Sequence, residues 1–134
     1  MKLLSNNFKH LDEIPNAYTS RGDNFSPSLA WFDYSSDVKA FLIVMVNLTT
    51  NKIYWASLVQ PDKSFLAINA QGDVLLENNF GVRGYTGPND IQDIVAYQIN
   101  IYAVKDPDLP YESIMGEDNV LDKTYIKFIY NGYY

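Results

Sequence analysis

Apolar residues come in short runs along this chain, cut at intervals by Pro, Gly, Asn and Asp. That rhythm predicts strands rather than long helices. The clearest run, Lys39 to Asn47, is apolar at nearly every position, as a strand covered on both faces would be. A second strand is expected over Ile53 to Val59, ended by Pro61-Asp62. The intervening Thr49-Thr50-Asn51-Lys52 reads as a hairpin connection. From Val95 to Val104 the pattern alternates, with Val95, Tyr97, Ile99, Ile101 and Ala103 on the predicted core face. Ala96, Gln98, Asn100, Tyr102 and Val104 make up the more polar opposite face. Shorter strands are expected around Leu3 to Phe8, Ser28 to Trp31, Asp73 to Leu76 and Tyr125 to Tyr130. Helix is expected only in pieces. These are Tyr111 to Met115 before Gly116, a turn over Asp118 to Lys123, and Asp90 to Ile94 with Asp90 as N-cap.

No repeat, low-complexity tract or linker interrupts the pattern, so residues 1–134 read as one domain. A domain of this length buries about two-thirds of the surface its unfolded chain exposes, which suffices for a core without disulfides. There is no cysteine to form one. An aromatic share of 15% strengthens the case for strands, because flat rings suit pleated surfaces. The net charge of −6 argues against nucleic acid as a partner, since binding a phosphate backbone takes a basic stripe. The same charge disfavours stable association with anionic membranes. The longest apolar stretch, Ala40 to Val46, is about a third of a bilayer span, and the run after Met1 is short for a signal-peptide core. The expectation is a soluble, cytoplasmic protein.

Residues that carry chemistry are sparse. His10 is the single histidine and lies in no nucleophile motif, so it reads as a surface side chain. One histidine and no cysteine make a poor zinc set. There is no G-x-S-x-G elbow and no phosphate loop ending in Gly-Lys-Ser/Thr. Asp12-Glu13 and Glu117-Asp118 are adjacent carboxylates of the kind common in solvated turns. Arg21-Gly22-Asp23 reads as a turn rather than an adhesion tripeptide. The two glycosylation sequons, at Asn24 and Asn47, read as coincidences. A non-catalytic protein without cofactor or metal is expected.

Two segments are more specific. Gly22-Asp23-Asn24-Phe25-Ser26-Pro27-Ser28-Leu29-Ala30-Trp31 has the form G-x-N-x-S-P-x-L-x-W, and Phe80-Gly81-Val82-Arg83-Gly84-Tyr85-Thr86-Gly87-Pro88 has the form F-G-x-x-G-Y-x-G-P. Both resemble motifs of the phosphatidylethanolamine-binding protein family, also called Raf kinase inhibitor-like proteins, in its bacterial and archaeal branch. Trp55 matches the tryptophan of that family's His-Trp pair, and Tyr97 the tyrosine of its His-Arg-Tyr motif. The resemblance spans nearly the whole chain in order. It implies an antiparallel Greek-key β-sandwich with a few short peripheral helices. Phe41, Ile43, Trp55, Ile99 and Ile101 are then expected in the core.

The departures from the family pattern are chemically consistent. Where relatives carry D-P-D-x-P, this chain has Asn47-Leu48-Thr49-Thr50-Asn51. Tyr54 replaces the histidine before the tryptophan, and Val95-Ala96 replace His-Arg. The Pro-Pro after the glycine loop is replaced or deleted around Asn89-Asp90-Ile91. Two lost charge-assisted contacts, at roughly 1.5–3 kcal/mol each, would weaken an anion by orders of magnitude. The resemblance leaves Asn47, Tyr54, Trp55, Gly84, Tyr85, Gly87, Pro88 and Tyr97 as the remnants of the ligand site. If open, that pocket should take a small neutral or weakly polar ligand. The rival expectation is a protein-interaction module, inhibitor or scaffold, with a homodimer among its forms; the stretch Tyr130 to Tyr134 is either one candidate surface or a packed terminal strand. A pocket plugged by its own side chains beside an exposed apolar patch favours the rival.

Overall fold

The structure is a computed structural model and describes residues 1–133; Tyr134, the end of one candidate surface, lies outside the described residues. Among the described residues, eight strands form two antiparallel sheets. Lys2–Leu4 (β1), Leu29–Phe32 (β2) and Phe65–Leu66 (β5) form the small sheet, in the order β1-β2-β5. Ala40–Asn47 (β3), Ile53–Val59 (β4), Val74–Leu75 (β6), Ile94–Val104 (β7) and Val120–Asn131 (β8) form the large one, in the order β6-β4-β3-β7-β8. Within it β3, β4 and β6 follow one another, and β7 returns to lie on the other side of β3. That is the Greek-key arrangement.

The apolar character of β3 is used on both faces. Phe41, Ile43 and Met45 pack inward between the sheets with Trp31, Trp55, Ile99, Ile101 and Phe128. Ala40, Leu42 and Val44 point outward and are covered by the short helix Tyr111–Ile114 (α1) and its flanks. All five core residues expected from the sequence are fully buried, and β7 alternates in the expected sense, with Val95, Tyr97, Ile99, Ile101 and Ala103 inside. Trp31 and Tyr34 meet the Phe41 ring edge-on at 5.4 and 4.8 Å.

Several local expectations are corrected. Asp90 to Ile94 is not helical: Asp90 caps nothing, and Ile94 opens β7. The competing pull is on the Asp90 carboxylate, which is held by side chains of the large sheet. Asp118 to Lys123 is not a helical turn either, because from Val120 onward the backbone pairs with β7. The first strand ends at Leu4 rather than Phe8, and β8 begins five residues before the expected Tyr125. The pair Phe65–Leu66 and a 3-10 turn at Asn16–Tyr18 were not foreseen.

The outer edge of β8 is closed by the segment before the 3-10 turn. Leu11 and Ile14 donate to the Lys127 and Ile129 carbonyls at 2.8 Å, and Ile129 donates to Asp12 at the same distance. His10, expected to be merely exposed, accepts the Lys127 N–H through Nδ1 at 3.0 Å. An unpaired edge invites strand addition, and here it is occupied. Truncating Phe41 to alanine should lower the stability measured by urea unfolding by about 3–5 kcal/mol. The same change at Phe65, which is 51% exposed, should stay within about 0.5 kcal/mol.

Candidate functional site

The eight remnant residues come together at one end of the large sheet, and backbone register explains how. Asn47 on β3 lies directly opposite Tyr97 on β7. Between β3 and β4, Met45 pairs with Trp55 and Val46 with Ile53, so Tyr54 is one residue too many. Such a bulge breaks the alternation and lets neighbouring side chains sink on the same side. Tyr54 and Trp55 are accordingly both buried in the inter-sheet core.

The glycine loop is fastened over this end. Asn78, just before the recognised motif, donates to the Tyr54 carbonyl at 3.1 Å and to Thr86 Oγ1 at 2.8 Å. Its own Oδ1 accepts the Phe80 and Val82 N–H groups. Thr86 donates its backbone N–H to the Tyr54 carbonyl at 2.7 Å. Tyr85 packs edge-on against Trp55 at 5.2 Å and donates its hydroxyl to the Tyr18 carbonyl at 2.6 Å. Gly84 has a φ of +94°, and a side chain there would meet Gln71 and Leu75. Gly87 is tight for another reason: a Cβ would strike the Asn24 side-chain oxygen and lie 2.8 Å from the Tyr18 carbonyl. Asn24 in turn accepts the Gly87 N–H at 2.8 Å. The two motif segments of the sequence thus bond to each other.

At the centre the polar atoms satisfy one another. Tyr97 donates its hydroxyl to Asp90 Oδ2. Asn47 donates to Asp90 Oδ1 at 3.2 Å and lies 3.3 Å from the Tyr97 hydroxyl. Its side-chain Oδ1 accepts the Thr49 and Thr50 N–H groups and so closes the β3–β4 hairpin. Tyr54 donates to Asn89 Oδ1 at 2.8 Å. The Tyr54 and Tyr97 rings meet edge-on at 5.0 Å, and Phe80 caps Tyr54 at 4.7 Å. All eight remnants are buried. Four surface clefts elsewhere on the molecule are lined by none of them.

Asp90 brings a carboxylate to the cluster, and the ion pairs among the described residues lie elsewhere. Burial, and next the bond to Asp90, drive the Tyr97 hydroxyl far above its ordinary range. Burial does the same to Tyr85, with the neighbouring Tyr18 adding to it. Lys52 stands outside, its Nζ 5.6 Å from the Phe80 ring centre. Among the described residues no cluster of His, Asp and Glu has the makings of a metal site.

Comparison with known proteins decides the architecture. A phosphatidylethanolamine-binding protein (PEBP) homologue of Chlamydia trachomatis superposes with a TM-score of 0.85 at 21% identity, covering 96% of this chain and 95% of its own. The E. coli protein YbcL, described as a member of the mammalian PEBP family, gives 0.84 at 20% identity over 97% of both chains. This chain has the PEBP fold. In sequence, a UPF0098 protein of Methanothermobacter thermautotrophicus is 27% identical over 133 residues, 91% of this chain and 87% of its own length. A second UPF0098 protein, of Aquifex aeolicus, is 38% identical over 45 residues, 34% of this chain and 26% of its own. No protein-family model matches.

Within the PEBP fold, the eight positions read from the sequence are neighbours, but their partners were not foreseen. Asn78, Asn89 and Asp90 were missed as members of the site. The only available signal was placement: Asn89-Asp90 follow the glycine loop where the family motif breaks off, seven positions before Tyr97. Arg21 of the adhesion-like tripeptide is tied down, with Nη1 donating to the Asn131 carbonyl and its guanidinium 5.4 Å from the Tyr130 ring centre. Both sequon asparagines have their side chains engaged inside the fold.

Two measurements follow. Gly87→Ala should cost about 1–3 kcal/mol in urea unfolding, by crowding alone. Tyr85 and Tyr97 keep their protons in the folded state well above about 10, where unfolded tyrosines ionise. Above about pH 10 the unfolded state therefore holds fewer protons, and stability should fall as pH rises further. Tyrosinate absorbance at alkaline pH should show these two groups ionising only together with unfolding.

Proposed function

We propose that this is a non-catalytic binding protein that engages a protein partner through its surface, around a remnant ligand site closed by its own side chains. The observation that carries the reading is the Asn89-Asp90 loop. It supplies one hydrogen-bond acceptor to Tyr54 and another to Tyr97, and so engages the hydroxyl donors that an incoming anion would need. A carboxylate already bonded there opposes phosphate-like groups twice, by its charge and by engaging the Tyr97 and Asn47 donors.

The rim around this plug is apolar and exposed. Leu48 follows the end of β3, and Phe80 and Val82 project from the glycine loop. Ile91 stands 83% exposed directly after Asp90, and Ile94 is 58% exposed at the start of β7. Large apolar side chains gathered at one end of a molecule mark a contact surface, and aromatic anchors among them are typical of interface centres. An enzymatic role has no support here. Burial holds the Tyr97 hydroxyl protonated, and the Asp90 carboxylate beside it is engaged by two donors.

Calorimetric titration with inorganic phosphate and with phosphoethanolamine should give no saturable heat; saturable binding lost in Tyr97→Phe would restore the small-ligand reading. In cross-linking from native lysate, a protein captured by the wild-type chain should be lost with the double variant Phe80→Glu/Ile91→Glu. Retention of the same partner by that variant would remove the rim from the proposal.

A further inference from the structure

The outer face of the large sheet is divided. Its β3 half is apolar and lies under α1, where Leu42 and Val44 pack with Ile114 and Tyr102. The β7–β8 half is open and polar. Gln98, Asn100 and Tyr102 project there, opposite Lys127, Tyr125 and Lys123 in register. Two clefts of about 460 and 330 Å³ lie along it and share Tyr102 and Lys123, so they form one trough. One end is walled by Met115 and Glu117 beyond α1, the other by Tyr125. Each part is within or near the size range of small-ligand sites.

The side chains in this trough are unusual for a merely solvated sheet face. Asparagine is depleted in strands, yet Asn100 sits mid-strand in β7. Gln98 Nε2 donates to Asn100 Oδ1 at 2.6 Å, and Asn100 Nδ2 reaches the Val44 carbonyl at 3.4 Å. These bonds orient both amides while leaving the Gln98 carbonyl and a second N–H on each. Tyr125 is 51% exposed, with Lys127 Nζ 5.5 Å from its ring centre and the His10 ring 6.0 Å away. Tyr102 is half-buried and shares its cluster with Tyr111, whose hydroxyl is buried without a partner.

We infer that this trough is a second ligand site, for a neutral saccharide. Hydroxyls both donate and accept, and a pair of oriented amides offers the same mixture in return. A sugar ring also has a C–H face, which packs on a tyrosine ring while the phenol oxygen stays wet. The lining carries Glu117, Asp122 and Lys123; Asp122 is paired with the N-terminal ammonium at 3.1 Å, which leaves Glu117 and Lys123 to balance each other. The site is on the opposite face of the sheet from the closed remnant site, and its ligand class is independent of any partner at the apolar rim.

The test is an NMR titration that follows the side-chain amide resonances of Gln98 and Asn100. The probes are maltose, N-acetylglucosamine, mannose and galactose, with glycerol as a non-specific polyol and a neutral tripeptide as the competing class. At least one saccharide should produce saturable shifts at these amides, with affinity falling about tenfold or more in Tyr125→Ala and unchanged in Ile91→Glu. Tyr125 is exposed enough for its truncation to leave the fold intact, which the backbone spectrum verifies. The inference is overturned by any of three results. These are no saturable shift with any sugar at about 10 mM, glycerol or tripeptide shifts equal to those of the sugars, or undiminished affinity in Tyr125→Ala.

Discussion

A strand with two apolar faces has to be covered on both, and Ala40–Asn47 is such a strand at the middle of the large sheet. Its inward side chains require a second sheet, which the short β1, β2 and β5 supply. Its outward side chains require another layer, and a four-residue helix with its flanking loops provides that. Because β7 returns to pair along the whole of β3, the end of the central strand lies against Tyr97. The constellation at that end is thus set by strand register. It does not depend on loop placement until the glycine loop closes over it.

What the loop closes over is a problem in hydrogen-bond accounting. A buried tyrosine hydroxyl without an acceptor costs about 1–3 kcal/mol. Two such hydroxyls, from Tyr54 and Tyr97, point toward the same end of the sheet. Two consecutive residues, Asn89 and Asp90, answer both. Once those bonds are made, the same donors are no longer available to an outside oxygen. Edge-on contacts of Tyr54 with Tyr97 and with Phe80 pack the rings beside these bonds.

The architecture was legible in the residues because the strongest signals in the chain are periodic. The unbroken apolar run of β3 and the alternation of β7 read out burial directly. The two motif segments were legible too, and the bond between Gly87 and Asn24 ties one to the other. The Asn89 and Asp90 contacts were not legible, since they depend on where a short irregular segment lies. In Asp90 to Ile94, an acidic residue ahead of apolar ones imitates a helix start. Tertiary contacts with Asn47 and Tyr97 overrode that local preference. The β8 start was hidden in a similar way, because Asp118 and Asn119 read as turn formers while pairing with β7 begins only one residue later.

The strap of residues 10–14 along β8 also has a temporal consequence. His10 meets Lys127 across 117 positions, so the hydrogen bonds that complete this edge join segments made far apart in time. On the ribosome the early segment stays without its partner until β8 has emerged. Up to that point β7 too has a bare side, and it is the longest apolar-faced ribbon synthesised before closure. Folding of this chain is therefore a late event dominated by distant contacts, which are slow to form. The interval before β8 arrives is when the nascent chain is most open to pairing with a neighbour.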